Sequence, residues 1–192
     1  MYGVLAIINA IENREVLLNE EFQPNVEAIL NAVDNNTKII FLCSPNNPTG
    51  NSFSDESVVK LLENFKGLVV IDEAYIDFSD KESWLAKIDQ YPNLVITQTL
   101  SKAYGLAGIR LGICYGSAAV ISVLNKIKPP YNVNELTQLR ALERLSNPEK
   151  IKSEITSIIA QREELLKVLV DVKFVEKIYP TEANFILIKV DD

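Results

Sequence analysis

The sequence predicts an α/β architecture: a mostly parallel sheet with helices on both faces. Three observations carry that expectation. Residues 38–43, 68–72 and 94–98 are short apolar runs without polar alternation, the pattern of strands buried on both faces. Segments of helical period separate these runs, and alternation of strand with helix builds crossover units. The chain has 192 residues, 47% hydrophobic and 23% charged, enough to bury an ordinary core within one domain or one and a part.

Element by element, residues 4–12 are apolar and read as a helix, and a short strand follows near residues 15–18. Pro24 opens a helix in which Val26, Ile29, Leu30 and Val33 recur at helical spacing, and Asn35-Asn36 ends it. The strand at 38–43 runs into the polar turn Ser44-Pro-Asn-Asn-Pro-Thr-Gly50. Ser54 or Asp55 then caps a helix bearing Val58, Val59, Leu61, Leu62 and Phe65, and Gly67 releases the chain into the strand at 68–72. The cycle repeats through a helix around 84–88 into the strand at 94–98.

Residues 109–115 form a further expected strand, and 118–128 a helix stopped by Pro129-Pro130. Asn134 or Glu135 begins another helix. Pro148 stands in the first turn of a long one, reaching about residue 170, that carries Ile151, Ile155, Ile158, Ile159, Leu165, Leu166 and Leu169. Strands at 173–178 and 184–190 close the sequence. The expected division is therefore 1–146 for a large unit and 147–192 for the long helix and the first strands of a smaller one.

Composition narrows the function. A net charge of -7 argues against nucleic acid as a partner, because such binding rests on a basic surface. No apolar run approaches the roughly 20 residues that cross a bilayer, and the start of the chain lacks a signal-peptide pattern, so no membrane is expected and the cytoplasm is. Cys43 and Cys114 each lie in an apolar run and are expected to be core thiols in a reducing compartment, with no disulfide. There is no histidine at all. Serine–histidine triads, histidine-ligated zinc and imidazole catalysis are thereby excluded within the chain, and no metal is expected.

In open α/β sheets, ligands bind beyond the carboxyl ends of the strands. Asn47, Asp72, Tyr75, Thr99, Ser101 and Lys102 all fall at or just after those expected ends. Lys102, following a strand and preceding Arg110, has the placement needed to hold an aldehyde cofactor through a covalent imine while the phosphate is gripped nearby, which points to pyridoxal 5'-phosphate. The plain alternative is a solvated loop lysine. Asp72 ends an apolar strand, where a buried carboxylate needs a partner. A pyridinium nitrogen would provide one, although a turn aspartate also fits the position.

Tyr75 could hydrogen-bond the cofactor's phenolic oxygen or simply line a rim, and Ala74 is small enough for the ring to lie against the backbone. Asn47 could reach the same oxygen, although Asn-Asn-Pro-Thr-Gly is in itself a good turn. Arg110 offers a planar fork for phosphate, with Thr99 and Ser101 as added donors. A structural ion pair is the alternative for Arg110. Gly105 and Gly108 read as turn residues and form no dinucleotide or P-loop fingerprint.

Three motifs stand in order: Ser44-Pro-Asn-Asn-Pro-Thr-Gly50, Val70-Ile-Asp-Glu-Ala-Tyr-Ile-Asp-Phe78 and Thr99-Leu-Ser-Lys-Ala-Tyr-Gly-Leu-Ala-Gly-Ile-Arg-Leu-Gly112. With Glu182-Ala-Asn-Phe-Ile-Leu187 they extend over essentially the whole chain. On these residues the chain resembles the class-II pyridoxal-phosphate-dependent aminotransferases of the aspartate-aminotransferase fold (fold type I), and within them the histidinol-phosphate aminotransferase group. The resemblance implies that 1–146 is part of the cofactor-binding large domain and 147–192 the start of the small α+β domain.

It also implies the residue roles. Lys102 is the catalytic lysine that carries the cofactor, Asp72 meets the ring nitrogen, Asn47 and Tyr75 the ring oxygen, and Arg110 with Thr99 or Ser101 the phosphate. The implied reaction moves an amino group from histidinol phosphate, the small-molecule donor, to the 2-oxo acid 2-oxoglutarate, in histidine biosynthesis, on a homodimer. Relatives in this group are longer, with a glycine-containing phosphate loop earlier and a carboxylate-binding arginine later. The chain is therefore expected to be truncated at both ends and, alone, inactive or nearly so. Related threonine-phosphate decarboxylases share the lysine and aspartate motifs. A non-catalytic folding or interaction module is the remaining alternative.

Overall fold

The computed structural model describes residues 2–191. It begins with helix α1 (Tyr2–Ile8) and helix α2 (Val26–Ala32). Asn25 caps α2, its side chain accepting from the Ala28 N–H at 3.0 Å, so the helix starts two residues beyond Pro24. Strand β1 (Ile39–Cys43), helix α3 (Asp55–Asn64), strand β2 (Leu68–Asp72), strand β3 (Leu94–Thr99) and strand β4 (Gly112–Gly116) follow. They form one sheet in the order β1-β2-β3-β4. β1, β2 and β3 run parallel, as the alternation of apolar runs with helical segments implies. β4 is antiparallel to β3, because the loop at 100–111 brings the chain back at the end where β3 stops, without a crossover.

Ser54 caps α3 by accepting from the Ser57 N–H, and Val58, Leu61 and Leu62 of that helix are buried. They pack with Ile40, Leu42, Val69, Ile71, Leu94 and Ile96 from one face of the sheet. Complete burial of each large aliphatic side chain contributes about 1.5–3 kcal/mol, so this layer fixes the positions of the strand ends. Gly67 permits the tight return from α3 into β2: a Cβ there would lie 2.4 Å from the Lys38 carbonyl and 2.5 Å from the Phe65 ring.

Several expectations change. β1 alternates in burial, with Ile39 46% and Phe41 45% exposed, and Cys114 on β4 is exposed rather than a core thiol. Both strands are edges of the sheet, and an apolar run carries no mark that separates an edge from a centre. Residues 15–18 form no strand, although Leu18 packs against the core. The helix near 84–88 is a short 3-10 turn, Trp84–Lys87.

Helix α4 (Ala118–Ile127), helix α5 (Glu135–Leu145) and helix α6 (Pro148–Leu169) come next. α6 carries proline in its first turn and is capped by Asn147. Strands β5 (Val175–Ile178) and β6 (Ile188–Val190) pair antiparallel in a second small sheet. Ile155, Ile158 and Ile159 of α6 pack on Tyr75, Phe78, Ala183 and Phe185, which ties the second sheet's connecting segment to the end of β2. No described helix is long and apolar enough to cross a membrane.

Candidate active site

The parallel register aligns Cys43 with Asp72 and Asp72 with Thr97, so β1, β2 and β3 end in one row. Everything that follows hangs from that row. The turn after β1 folds back on itself: the Gly50 N–H donates to the Asn46 carbonyl at 2.7 Å, and the Asn46 N–H to the Asn51 carbonyl at 2.9 Å. This turn carries Asn47 outward. The chain after β2 enters a 3-10 turn, Ile76–Phe78, that Tyr75 begins.

Asn47 and Tyr75 meet there, the Asn47 Nδ2 donating to the Tyr75 hydroxyl oxygen at 2.9 Å. Tyr75 is buried, and the edge of Phe185 lies against its ring at 5.1 Å between centroids. The Ala74 N–H donates to Asp72 Oδ1 at 3.2 Å, which holds that carboxylate facing the turn. The Lys102 Nζ lies 5.1 Å from the centroid of the Tyr75 ring. Asn47, Asp72, Ala74, Tyr75 and Lys102 are therefore brought together.

Thr99, Ser101 and Arg110 are organised locally. The Ser101 N–H donates to Thr99 Oγ1 at 3.1 Å, and the Gly105 N–H to the Lys102 carbonyl at 3.0 Å. Gly105 has φ +67°, a conformation that favours glycine. Arg110 ends the 3-10 turn Ala107–Ile109 in the left-handed conformation, φ 55° and ψ 47°, and its Nη1 donates to the Ala107 carbonyl at 3.0 Å. Among the described residues neither Lys102 nor Arg110 forms an ion pair, which removes the structural ion pair as the explanation of Arg110. The loop is anchored from behind, where the Arg144 Nε donates to the Tyr104 carbonyl at 2.9 Å and Arg144 pairs with Glu154.

Tyr2, Cys43, Glu73 and Phe185 are neighbours of the candidate site residues that the motifs do not single out for a role. Tyr2 stacks on Phe41, ring centroids 4.4 Å apart, and donates its hydroxyl to Asp72 Oδ2. Burial, and then this bond to a carboxylate, push the Tyr2 phenol well above its usual range. Burial first, and then the charge of Asp72, push the Cys43 thiol up to about 11. Glu73, 1% exposed, accepts from Ser83 Oγ at 2.6 Å, the Trp84 N–H at 2.7 Å and Gln98 Nε2 at 2.9 Å. Nothing in local spacing marks Tyr2 or Phe185, whose partners are far away in sequence. Glu73 could have been suspected, as a second carboxylate at the end of a buried strand.

The donor set suits pyridoxal phosphate. Asp72 already accepts an O–H from an aromatic ring that is stacked on β1, the kind of contact a pyridinium N–H would make. Tyr75 receives a bond from Asn47 and so retains its own proton for an acceptor. A Cβ placed on Gly105 or Gly108 meets nothing within 4 Å, so the loop that carries Lys102 and Arg110 has open space at both glycines.

Comparison with known proteins agrees with this geometry. The family model for aminotransferase class I and II matches residues 1–190. A histidinol-phosphate aminotransferase from Flavobacterium johnsoniae is 84% identical over 192 residues, all of this chain and 55% of that protein. The crystal structure of the histidinol-phosphate aminotransferase from Clostridium acetobutylicum superposes with a TM-score of 0.89 at 24% identity, covering 100% of this chain and 59% of that one. The Sinorhizobium meliloti enzyme, solved in complex with pyridoxal-5'-phosphate, gives 0.87 at 23% identity, with 100% and 52% covered. At those identities the solved structures speak to the fold alone. The chain spans about half the length of the curated relatives it matches.

Proposed function

This chain belongs to the class I and II aminotransferases, and on that premise we propose that the ends of β1, β2 and β3 with the loop at 99–110 hold pyridoxal phosphate for amino transfer. The observation that carries the reading is the meeting of Asn47 and Tyr75 at 2.9 Å beside Asp72, with the Lys102 amine 5.1 Å from the same tyrosine ring. When bound, the cofactor supplies an electron sink for the bonds at the substrate's amino-bearing carbon.

The chain's own groups supply the rest. The Lys102 amine would tether the cofactor and, when free, would move a proton at the substrate carbon. Asp72, which accepts from Tyr2, would hold the ring nitrogen protonated. Tyr75, oriented by Asn47, would donate to the ring oxygen. Arg110 would hold the phosphate, with the Thr99 and Ser101 hydroxyls as further donors. Ala74 would leave the ring room at the backbone. The large and small units divide near residue 147, where α6 begins.

For the whole protein we infer transfer from histidinol phosphate to 2-oxoglutarate, giving imidazole acetol phosphate and glutamate in histidine biosynthesis, by a cytoplasmic homodimer. The support is 84% identity to a protein of that name across the whole chain. The full-length protein that contains this chain, expressed in a host lacking histidinol-phosphate transamination, is expected to restore growth without histidine. No growth, together with carbon dioxide release from threonine phosphate by the purified product, would assign a decarboxylase instead.

A further inference from the structure

We propose that Glu182 is a positioning residue for the Asn47–Tyr75 pair. This inference rests on the cofactor reading of that pair. Glu182 lies in the segment between β5 and β6 and touches none of the candidate site residues. Its carboxylate instead joins the two pieces of chain that carry them. Oε2 accepts from Ser52 Oγ at 2.9 Å and from Ser79 Oγ, while Oε1 accepts from the Ser52 N–H at 3.4 Å.

Ser52 belongs to the turn that presents Asn47. That turn is cross-linked by its own hydrogen bonds, including Asn46 Nδ2 to Thr49 Oγ1 at 2.7 Å, so it moves as a unit. The Glu182 N–H also donates to the Gly50 carbonyl at 2.7 Å. Gly50 has φ +81°, and a Cβ on it would fall 2.6 Å from Thr181 Oγ1. The turn is thus seated closely on residues 181–182.

Ser79 closes the 3-10 turn that Tyr75 begins, with the Ser79 N–H donating to the Ile76 carbonyl at 3.0 Å and the Phe78 N–H to the Tyr75 carbonyl at 3.1 Å. The same short segment supplies Phe185 to the Tyr75 ring, and Thr181 Oγ1 donates to the Phe185 carbonyl at 2.7 Å. One ionised side chain therefore sets the separation of two turns whose far ends carry Asn47 and Tyr75. Charge-assisted bonds are the strong ones, and a neutral side chain at 182 accepts them less well. Lys81 Nζ, donating to the Phe53 carbonyl at 3.0 Å, is a second brace between the same pieces.

Donors on the cofactor's ring oxygen stabilise its negative charge and so lower the pH at which the lysine-linked imine loses its proton. Loosening the pair raises that pH. The test compares Glu182→Ala and Glu182→Gln with Leu30→Ala, a change on α2 at the core's margin, away from the strand ends, used at a temperature where the two proteins are equally stable. Two quantities are read: amide hydrogen exchange of residues 46–51 and 75–79 without cofactor, and the pH midpoint of the visible band after loading with pyridoxal phosphate.

Glu182→Ala is expected to speed exchange in both segments by about 10-fold and to raise the midpoint by about half a pH unit, with Glu182→Gln between it and the parent. Leu30→Ala leaves both quantities at the parent values. A Glu182→Ala protein that matches Leu30→Ala in both readouts overturns the inference. If the parent takes up no cofactor, the cofactor reading falls, and the exchange measurement still decides whether Glu182 holds the two turns.

Discussion

Asp72 and Tyr75 are held by partners from distant parts of the chain, whereas Ser101 and Arg110 are held by their immediate neighbours. At the end of β2, Tyr2 and Phe41 flank the carboxylate, Asn47 and Phe185 fix the tyrosine, and the fully buried Glu73 locks the strand to β3 and to the 3-10 turn Trp84–Lys87. In the loop at 99–110 the hydrogen bonds of the Ser101 N–H and the Arg110 side chain span two or three residues, and Lys102 and Arg110 are exposed, while the loop backbone is anchored by Thr137 on the Ile109 carbonyl and Arg144 on the Tyr104 carbonyl. The difference separates two kinds of cost. Damage at the β2 end unfolds the protein as well as the site, while damage in the loop removes binding and leaves the fold.

The comparison is broken most directly at Glu73. Glu73→Ala strands three donors in the interior and is expected to destabilise the chain by about 3 kcal/mol, measured by urea unfolding. A loss below about 1 kcal/mol would mean that the β2 end is not a tertiary lock. Cys43 sharpens the point without a mutation. With its thiol raised from 9.0 to about 11 by burial and by Asp72, alkylation near pH 8 is expected to run about 100-fold slower in the folded chain than in urea.

The sign on stability follows from the same shift. The raised thiol contributes fully below pH 9.0, where the unfolded thiol is still protonated, and that contribution is lost as the pH rises through about 11. A protein whose stability is flat across that window would contradict the burial of Cys43 beside Asp72.

Arg110 tests the other region with a smaller effect of opposite sign on the fold. Arg110→Gly removes a side chain from a left-handed position and is expected to stabilise the chain by up to about 1 kcal/mol in urea. The same change removes the guanidinium proposed to hold the phosphate, and retention of pyridoxal phosphate on dialysis is expected to weaken about 10-fold. Loss of both stability and retention would mean that the loop is not independent of the core.

The same contrast explains what could be read from the sequence. The parallel strands, the caps at Ser54 and Asn147 and the long α6 follow from local period and residue type, so they were legible. So were the loop residues from Thr99 to Arg110, since their geometry is made by near neighbours. The exposure of Phe41 and Cys114 depends on which strands lie at the sheet's edges, a global property. Tyr2 on Asp72 and Glu182 on Ser52 and Ser79 join segments separated by most of the chain, and no spacing rule connects them. Asn47 and Tyr75 lie between these cases. Their motifs marked them as ligand candidates, and only the tertiary structure shows that one donates to the other.

We propose that a single amine, Lys102 Nζ at 5.1 Å from the centroid of the Tyr75 ring, takes the cofactor. Borohydride reduction of the chain after incubation with pyridoxal phosphate, followed by peptide mapping, tests it most directly. Label is expected on Lys102 and none in Lys102→Ala, whose melting temperature stays within a degree or so of the parent because the side chain is exposed. Label spread evenly over the lysines, or retained in Lys102→Ala, would contradict it.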